Sequence, residues 1–166
     1  MFQVVTEENI EEAALIHLLS WQESHRGFCS KEFIDAHTIS TQVEYIRSEL
    51  QKGKSFFLLN LNEEGGKGIV SVHRNLIENL YVLPDQQRKG YGEMLLNYVE
   101  EQCEGVPTLW ILSNNDRAKA FYLKNGFDFT GERKELKGGL AELEMKHQKG
   151  VKRGEKDDTT RNSKFG

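Results

Sequence analysis

Asn79-Leu80-Tyr81-Val82-Leu83-Pro84-Asp85-Gln86-Gln87-Arg88-Lys89-Gly90-Tyr91-Gly92-Glu93-Met94-Leu95-Leu96 is the stretch on which the reading of this chain turns. It passes from an apolar strand, through a Pro-bounded turn with two cations, into an amphipathic helix with two glycines at the join. A glycine there lets the backbone approach a bound group, because no Cβ stands in the way. The first amides of the helix have no intrahelical acceptor, and with the helix dipole they favour an anion, commonly a phosphate. The stretch therefore reads as a cradle for a diphosphate.

Around it the composition is that of an ordinary globular domain. The chain has 166 residues, 37% hydrophobic and 29% charged, enough for one domain with a sizeable core. No apolar run approaches a membrane span, Phe56-Phe57-Leu58-Leu59 being among the longest, so no membrane partner is expected. The acidic segment from Met1 to Glu8 is unlike a secretory signal. Cys29 and Cys103 stand apart, without a CxxC or Cys/His pattern. Such thiols fit a reducing cytoplasm and argue against zinc, and no metal is expected. Net charge is −4; the tail from Gln148 is basic, which leaves about −7 on residues 1–147. An acidic body is a poor nucleic-acid binder.

Hydrophobic periodicity orders the rest. Phe2–Val5 reads as a strand; Ile10, Ala13, Ala14, His17, Leu18 and Trp21 recur at helical spacing, with Thr6 or Asn9 as cap. Arg26-Gly27-Phe28-Cys29 breaks that helix, and a second one starts near Ser40, with Thr41 and Glu44 as a capping box and Gly53 as its stop. Residues 55–61, 68–74 and 76–83 form an antiparallel meander. A helix over 91–104, a buried strand over 107–113, a helix over 116–125 and strands over 127–133 and 140–146 complete the order. The strand–helix–strand unit predicts parallel pairing of its two strands. The fold class is α+β, a mixed sheet covered by helices. Residues 1–147 form the domain, and 148–166 a polar, mobile tail with little to bury.

Three phosphate motifs compete for the cradle. Nothing matches G-x-x-x-x-G-K-[ST], and Leu95 stands where a dinucleotide fingerprint needs its third glycine. The pattern [QR]-x-x-G-x-[GA] is met by Gln87-Arg88-Lys89-Gly90-Tyr91-Gly92. Downstream runs Leu109-Trp110-Ile111-Leu112-Ser113-Asn114-Asn115-Asp116-Arg117-Ala118-Lys119-Ala120-Phe121-Tyr122-Leu123-Lys124-Asn125-Gly126-Phe127, and upstream Ser20-Trp21-Gln22-Glu23-Ser24-His25-Arg26-Gly27. In this order the segments resemble the GNAT superfamily of N-acetyltransferases, of the small bacterial single-domain type, over residues 1–147. The resemblance implies a mostly antiparallel mixed sheet of about seven strands flanked by four helices and splayed after strand 4.

It also implies roles. Gln87, Arg88, Lys89, Gly90, Tyr91 and Gly92 would hold the pyrophosphate of acetyl-CoA. Leu80, Tyr81 and Val82 would pair with the pantetheine arm beside a β-bulge, and the Val82 amide would polarise the thioester carbonyl. Asn115 and Ala118 match cofactor-contacting positions, and Tyr122 the tyrosine beside the sulfur, where a phenol can donate to a leaving thiolate. Glu78, on the face of Leu80 and Val82 by period two, is the candidate base, with His73 as second candidate. Trp21, His25 and Phe28 match the acceptor wall, His25 replacing a commoner tyrosine. The expected activity is direct acetyl transfer from acetyl-CoA to a primary amine, of a small molecule or of a peptide or protein, in a cytoplasmic monomer or homodimer. The alternative is a non-catalytic acyl-CoA-binding or regulatory module on the same fold.

Overall fold

The computed structural model describes residues 1–27 and 29–148. The position of Phe28 and nearly all of the tail read from Gln148 lie outside them. The chain forms two compact units, Met1–His73 with Ile77–Gln102, and Arg74–Leu76 with the chain from Cys103. Strands β1 (Phe2–Val4), β2 (Ser55–Asn60), β3 (Gly66–His73), β4 (Leu76–Val82), β5 (Thr108–Leu112), β6 (Phe127–Glu135) and β7 (Ala141–His147) lie in the order β1-β2-β3-β4-β5-β7-β6, as expected of a mixed, mostly antiparallel seven-stranded sheet.

The first unit holds β1 (Phe2–Val4), α1 (Ile10–His25), α2 (Lys31–Asp35), α3 (Ile39–Gln51), β2 (Ser55–Asn60), β3 (Gly66–His73), most of β4 (Leu76–Val82) and α4 (Tyr91–Gln102). β2 lies antiparallel to β1 and to β3, Phe57 opposite both Val4 and Val70. Side chains alternate across a strand, so Phe56 and Leu58 join Ile69, Ile10, Ala13, Ala14, Ile16 and Ile46 in the core beneath α1 and α3. Phe57 points the other way and meets the Tyr98 ring of α4, which also stacks on Phe2 at 4.1 Å.

The stretch between α1 and α3 departs from the sequence reading. Ser30 accepts from the Phe33 amide at 3.1 Å and starts α2, a fifth, five-residue helix beyond the four expected. The capping box of α3 is Thr38 with Thr41, not Thr41 with Glu44. Thr38 is extended, its hydroxyl accepts from the Thr41 amide at 3.2 Å, and the Thr41 hydroxyl accepts from the Thr38 amide at 2.9 Å. Glu44 instead pairs with Arg47 at 2.8 Å. Asn9 precedes α1 without capping it through its side chain; its oxygen accepts from the Thr6 amide, and its nitrogen donates to the Val4 carbonyl.

His17 of α1 is 6% exposed, 4.9 Å from the Tyr81 ring and 5.3 Å from that of Tyr45. Burial pushes its pKa below the usual 6.5, and a hydrogen bond with Asn79 works the other way. The folded chain thus favours neutral His17. As pH falls below about 6.5 the unfolded chain takes the proton first, so stability declines from there to the lowered folded value and then levels. The melting temperature is expected to fall between about pH 7 and about pH 5, and less in a His17→Gln variant. Equal falls in both proteins would place the acid sensitivity elsewhere.

The second unit holds β5 (Thr108–Leu112), α5 (Asp116–Lys124), β6 (Phe127–Glu135) and β7 (Ala141–His147). β7 pairs antiparallel with both other strands, so Met145 lies opposite Leu109 and Phe129. Leu109, Ile111, Phe127, Ala141 and Met145 are buried. Leu76, the first residue of β4, pairs with Thr108 in parallel, as the strand–helix–strand unit predicts. Asn75 secures this start by donating to the Val106 carbonyl at 2.8 Å.

Candidate active site

The segment from Leu83 to Gly90 joins β4 to α4. The Leu83 amide donates to the Lys67 carbonyl at 2.9 Å, closing β4 against β3. A single tight turn, Pro84–Gln86, follows. Arg88 and Gly90 then take left-handed conformations, φ 67° and 86°. They lead into α4, where the Met94 amide donates to the Gly90 carbonyl at 3.1 Å. Tyr91 and Gly92 stand in the first turn of α4, where helix amides lack an intrahelical acceptor. A Cβ on Gly90 would meet nothing within 4 Å. Arg88 and Lys89 are exposed beside it.

Gln87 has a part that the sequence did not reveal. Its side-chain amide donates to the Val82 carbonyl at 3.2 Å, and the Ser20 hydroxyl of α1 donates to the same oxygen at 3.3 Å. The motif glutamine therefore fastens the cradle to the end of β4, and its side chain is committed to that bond. Ser20 had no periodic signal marking it, because it is a small polar residue among the buried positions of α1.

Within β4, Asn79 is left-handed at φ 53°. Its side-chain Nδ2 donates to the Ser71 hydroxyl at 3.0 Å, and that hydroxyl donates to the Glu78 carbonyl at 3.1 Å. A left-handed residue in a strand interrupts the alternation. Glu78 consequently does not share a face with Leu80 and Val82, as strict period two implies. It pairs toward α3, on the side where Tyr81 packs against the core beneath α1 and α3.

Glu78 is ion-paired. Its carboxylate lies 2.8 Å from Lys54 Nζ, and Lys54 also binds the nearly buried Glu49 carboxylate of α3. Burial works against the Lys54 ammonium, but its bonds to Glu49 and Glu78 outweigh that and hold its pKa above the usual lysine value. His73 Nδ1 lies 3.3 Å from the Gly53 carbonyl, so both base candidates are tied to the Gly53–Lys54 corner between α3 and β2.

Trp21 and His25 form a separate cluster. The indole centroid lies 4.2 Å from the His25 ring, 3.9 Å from that of His37 and 5.8 Å from that of Phe33. His25 Nδ1 lies 2.9 Å from the Trp21 carbonyl.

In the second unit, Asn115 caps α5, its side-chain oxygen accepting from the Ala118 amide at 3.1 Å. Tyr122 lies one turn on, its ring edge-to-face with Phe121 at 5.1 Å and Phe127 at 5.7 Å. The asparagine, the alanine and the tyrosine of the motif thus belong to one capped helix.

Comparison with known proteins agrees with the fold. Residues 52–128 match the family described as acetyltransferase (GNAT) domain, a span that holds β2 to α5 with the cradle and Tyr122. The PaiA N-acetyltransferase of Thermoplasma acidophilum, solved in complex with coenzyme A, is 21% identical with a TM-score of 0.64, covering 89% of this chain and 99% of that one. A GCN5-related N-acetyltransferase of Rhodopseudomonas palustris is 20% identical with a TM-score of 0.65, covering 89% and 94%. YncA of Salmonella typhimurium, solved with acetyl-CoA, is 18% identical with a TM-score of 0.61, covering 88% and 91%.

Proposed function

For a chain of the GNAT superfamily, with the acetyltransferase domain matched over residues 52–128, we propose N-acetyl transfer from acetyl-CoA to a primary amine of a small molecule or of a peptide or protein. The open, left-handed turn from Gln87 to Gly92 ahead of α4, fastened to Val82 by the Gln87 side chain, carries this reading. PaiA with coenzyme A and YncA with acetyl-CoA share the fold and support it.

Acetyl-CoA supplies the activated acetyl group as a thioester. The backbone amides of Gln87 to Gly92, with Arg88 and Lys89, bind its phosphates, and the backbone of Leu80, Tyr81 and Val82 takes the pantetheine arm. The Val82 N–H is the donor to the carbonyl oxygen on which charge develops. For α5, considered by itself, the family resemblance assigns Asn115 and Ala118 to cofactor contact and the Tyr122 phenol to protonation of a leaving thiolate. Glu78 takes a proton from the acceptor ammonium, through water, while Lys54 holds its carboxylate in place. His73, Trp21 and His25 are assigned to the acceptor side.

The reading is tested by melting the full chain with acetyl-CoA and then measuring free thiol across a panel of amines. Acetyl-CoA at about a hundred times its Kd is expected to stabilise the fold by about 2.7 kcal/mol, and one class of amine is expected to release coenzyme A. An unchanged melting temperature would sink acetyl-CoA binding. Stabilisation without thiol release from any amine would leave a binding module.

A further inference from the structure

Lys67 is a nearly buried cation that the cradle motif does not contain. It lies in β3 where the pairing with β2 shifts register beside Leu59 and Asn60, and its side chain is 7% exposed. An ammonium taken out of water needs strong partners. Those of Lys67 are thin: Gln86 Oε1 at 3.4 Å, and Glu64 Oε1 at 3.3 Å on a side chain that is 68% exposed. The Tyr91 ring centroid is 6.0 Å away.

The same Gln86 oxygen accepts from Lys89 at 3.2 Å. Two ammonium groups therefore converge on one neutral amide, beside the first residue of α4, where the helix end adds positive potential. Charges of one sign gathered in a partly dry place repel each other and the helix end alike. A polyanion resolves that repulsion, and a phosphate takes up several such donors at once.

We propose that Lys67, gathered with Lys89 by Gln86, is a binding residue for the phosphates of the cofactor, reaching the cradle from the sheet. This rests on the acetyl-CoA reading above. Coenzyme A offers a diphosphate and a ribose 3′-phosphate of the same chemistry, and the place of Lys67 beside Tyr91 favours the diphosphate.

The test is calorimetric titration of the full chain, and of its Lys67→Met and Lys67→Arg variants, with coenzyme A, dephospho-coenzyme A and pantetheine, together with their melting without ligand. The Met variant is expected to bind both nucleotide ligands about tenfold more weakly and pantetheine unchanged, with arginine recovering most of the loss. Without ligand it is expected to melt no lower than the parent, since a poorly compensated charge has been removed. Unchanged affinity for coenzyme A overturns the proposal. So does weakening that extends to pantetheine, or a lower melting temperature without ligand, because a structural lysine behaves that way. A loss confined to coenzyme A supports the role with the 3′-phosphate as its partner. A parent that binds none of the three overturns the acetyl-CoA reading instead. Titration with inorganic pyrophosphate then decides Lys67 alone: Lys67-dependent binding supports an anion site, and its absence overturns it.

Discussion

A Gly68→Ala variant is expected to lose about 3 kcal/mol of stability, at the upper end of ordinary overpacking. An added Cβ would lie 2.6 Å from the Tyr81 carbonyl oxygen, 2.7 Å from Leu95 Cδ1 and 3.4 Å from Val82 Cα. The leucine tip can rotate away. The carbonyl oxygen belongs to the backbone of β4, so β3 and β4 must part to admit a methyl group. For a chain of this length the melting temperature should fall by about 6–12 °C. The strain falls on Tyr81 and Val82, so affinity for acetyl-CoA should fall with it. Gly90→Ala is the contrasting case: nothing lies within 4 Å, and only its φ of 86° resists, at about 1–2 kcal/mol. Thermal denaturation of both variants decides the matter, and a Gly68→Ala protein that melts with its parent would remove the close approach of the two strands.

Tyr122→Phe is expected to lower kcat by about a hundredfold or more, the scale on which a positioned acid acts, while KM for acetyl-CoA changes little. The ring contacts with Phe121 and Phe127 survive the loss of one oxygen, and the melting temperature is measured beside kcat. That separation is the point of the experiment, because an aromatic serving only to fill the helix face would leave kcat untouched. Steady-state kinetics with the best acceptor of the amine panel provides the measurement, and full turnover in the phenylalanine variant would withdraw the acid from Tyr122 without touching the rest of the mechanism.

Much of the architecture was legible because it rests on local signals. The glycines at 90 and 92, the apolar strand ahead of them and the periodic residues of α4 announce a strand, a turn and a helix end. The segment from Asp116 to Gly126 reads as a glycine-stopped helix, and it forms one, with Asn115 added by the structure as its cap. The capping of α3 was misplaced by a few residues because Thr38 and Thr41 both satisfy a cap locally, and the extended backbone at Thr38 selects between them. The short α2 was missed because five residues carry too little periodicity to register.

The candidate site divides along the same line. The sequence by itself determined the order of elements, the place of the cradle and the residue types at its mouth, because these depend on neighbours in the chain. Tertiary structure alone decided that Gln87 and Ser20 meet on the Val82 carbonyl, and that Asn79 turns Glu78 away from the face of Leu80 and Val82. It likewise decided that Lys54 joins Glu78 to Glu49, and that a lysine from β3 lies buried beneath the cradle. Each of these depends on side chains dozens of residues apart, or on one backbone angle, and hydrophobic periodicity carries no record of either. Burial decides what a charge or a hydroxyl must bind, and burial is a property of the folded chain.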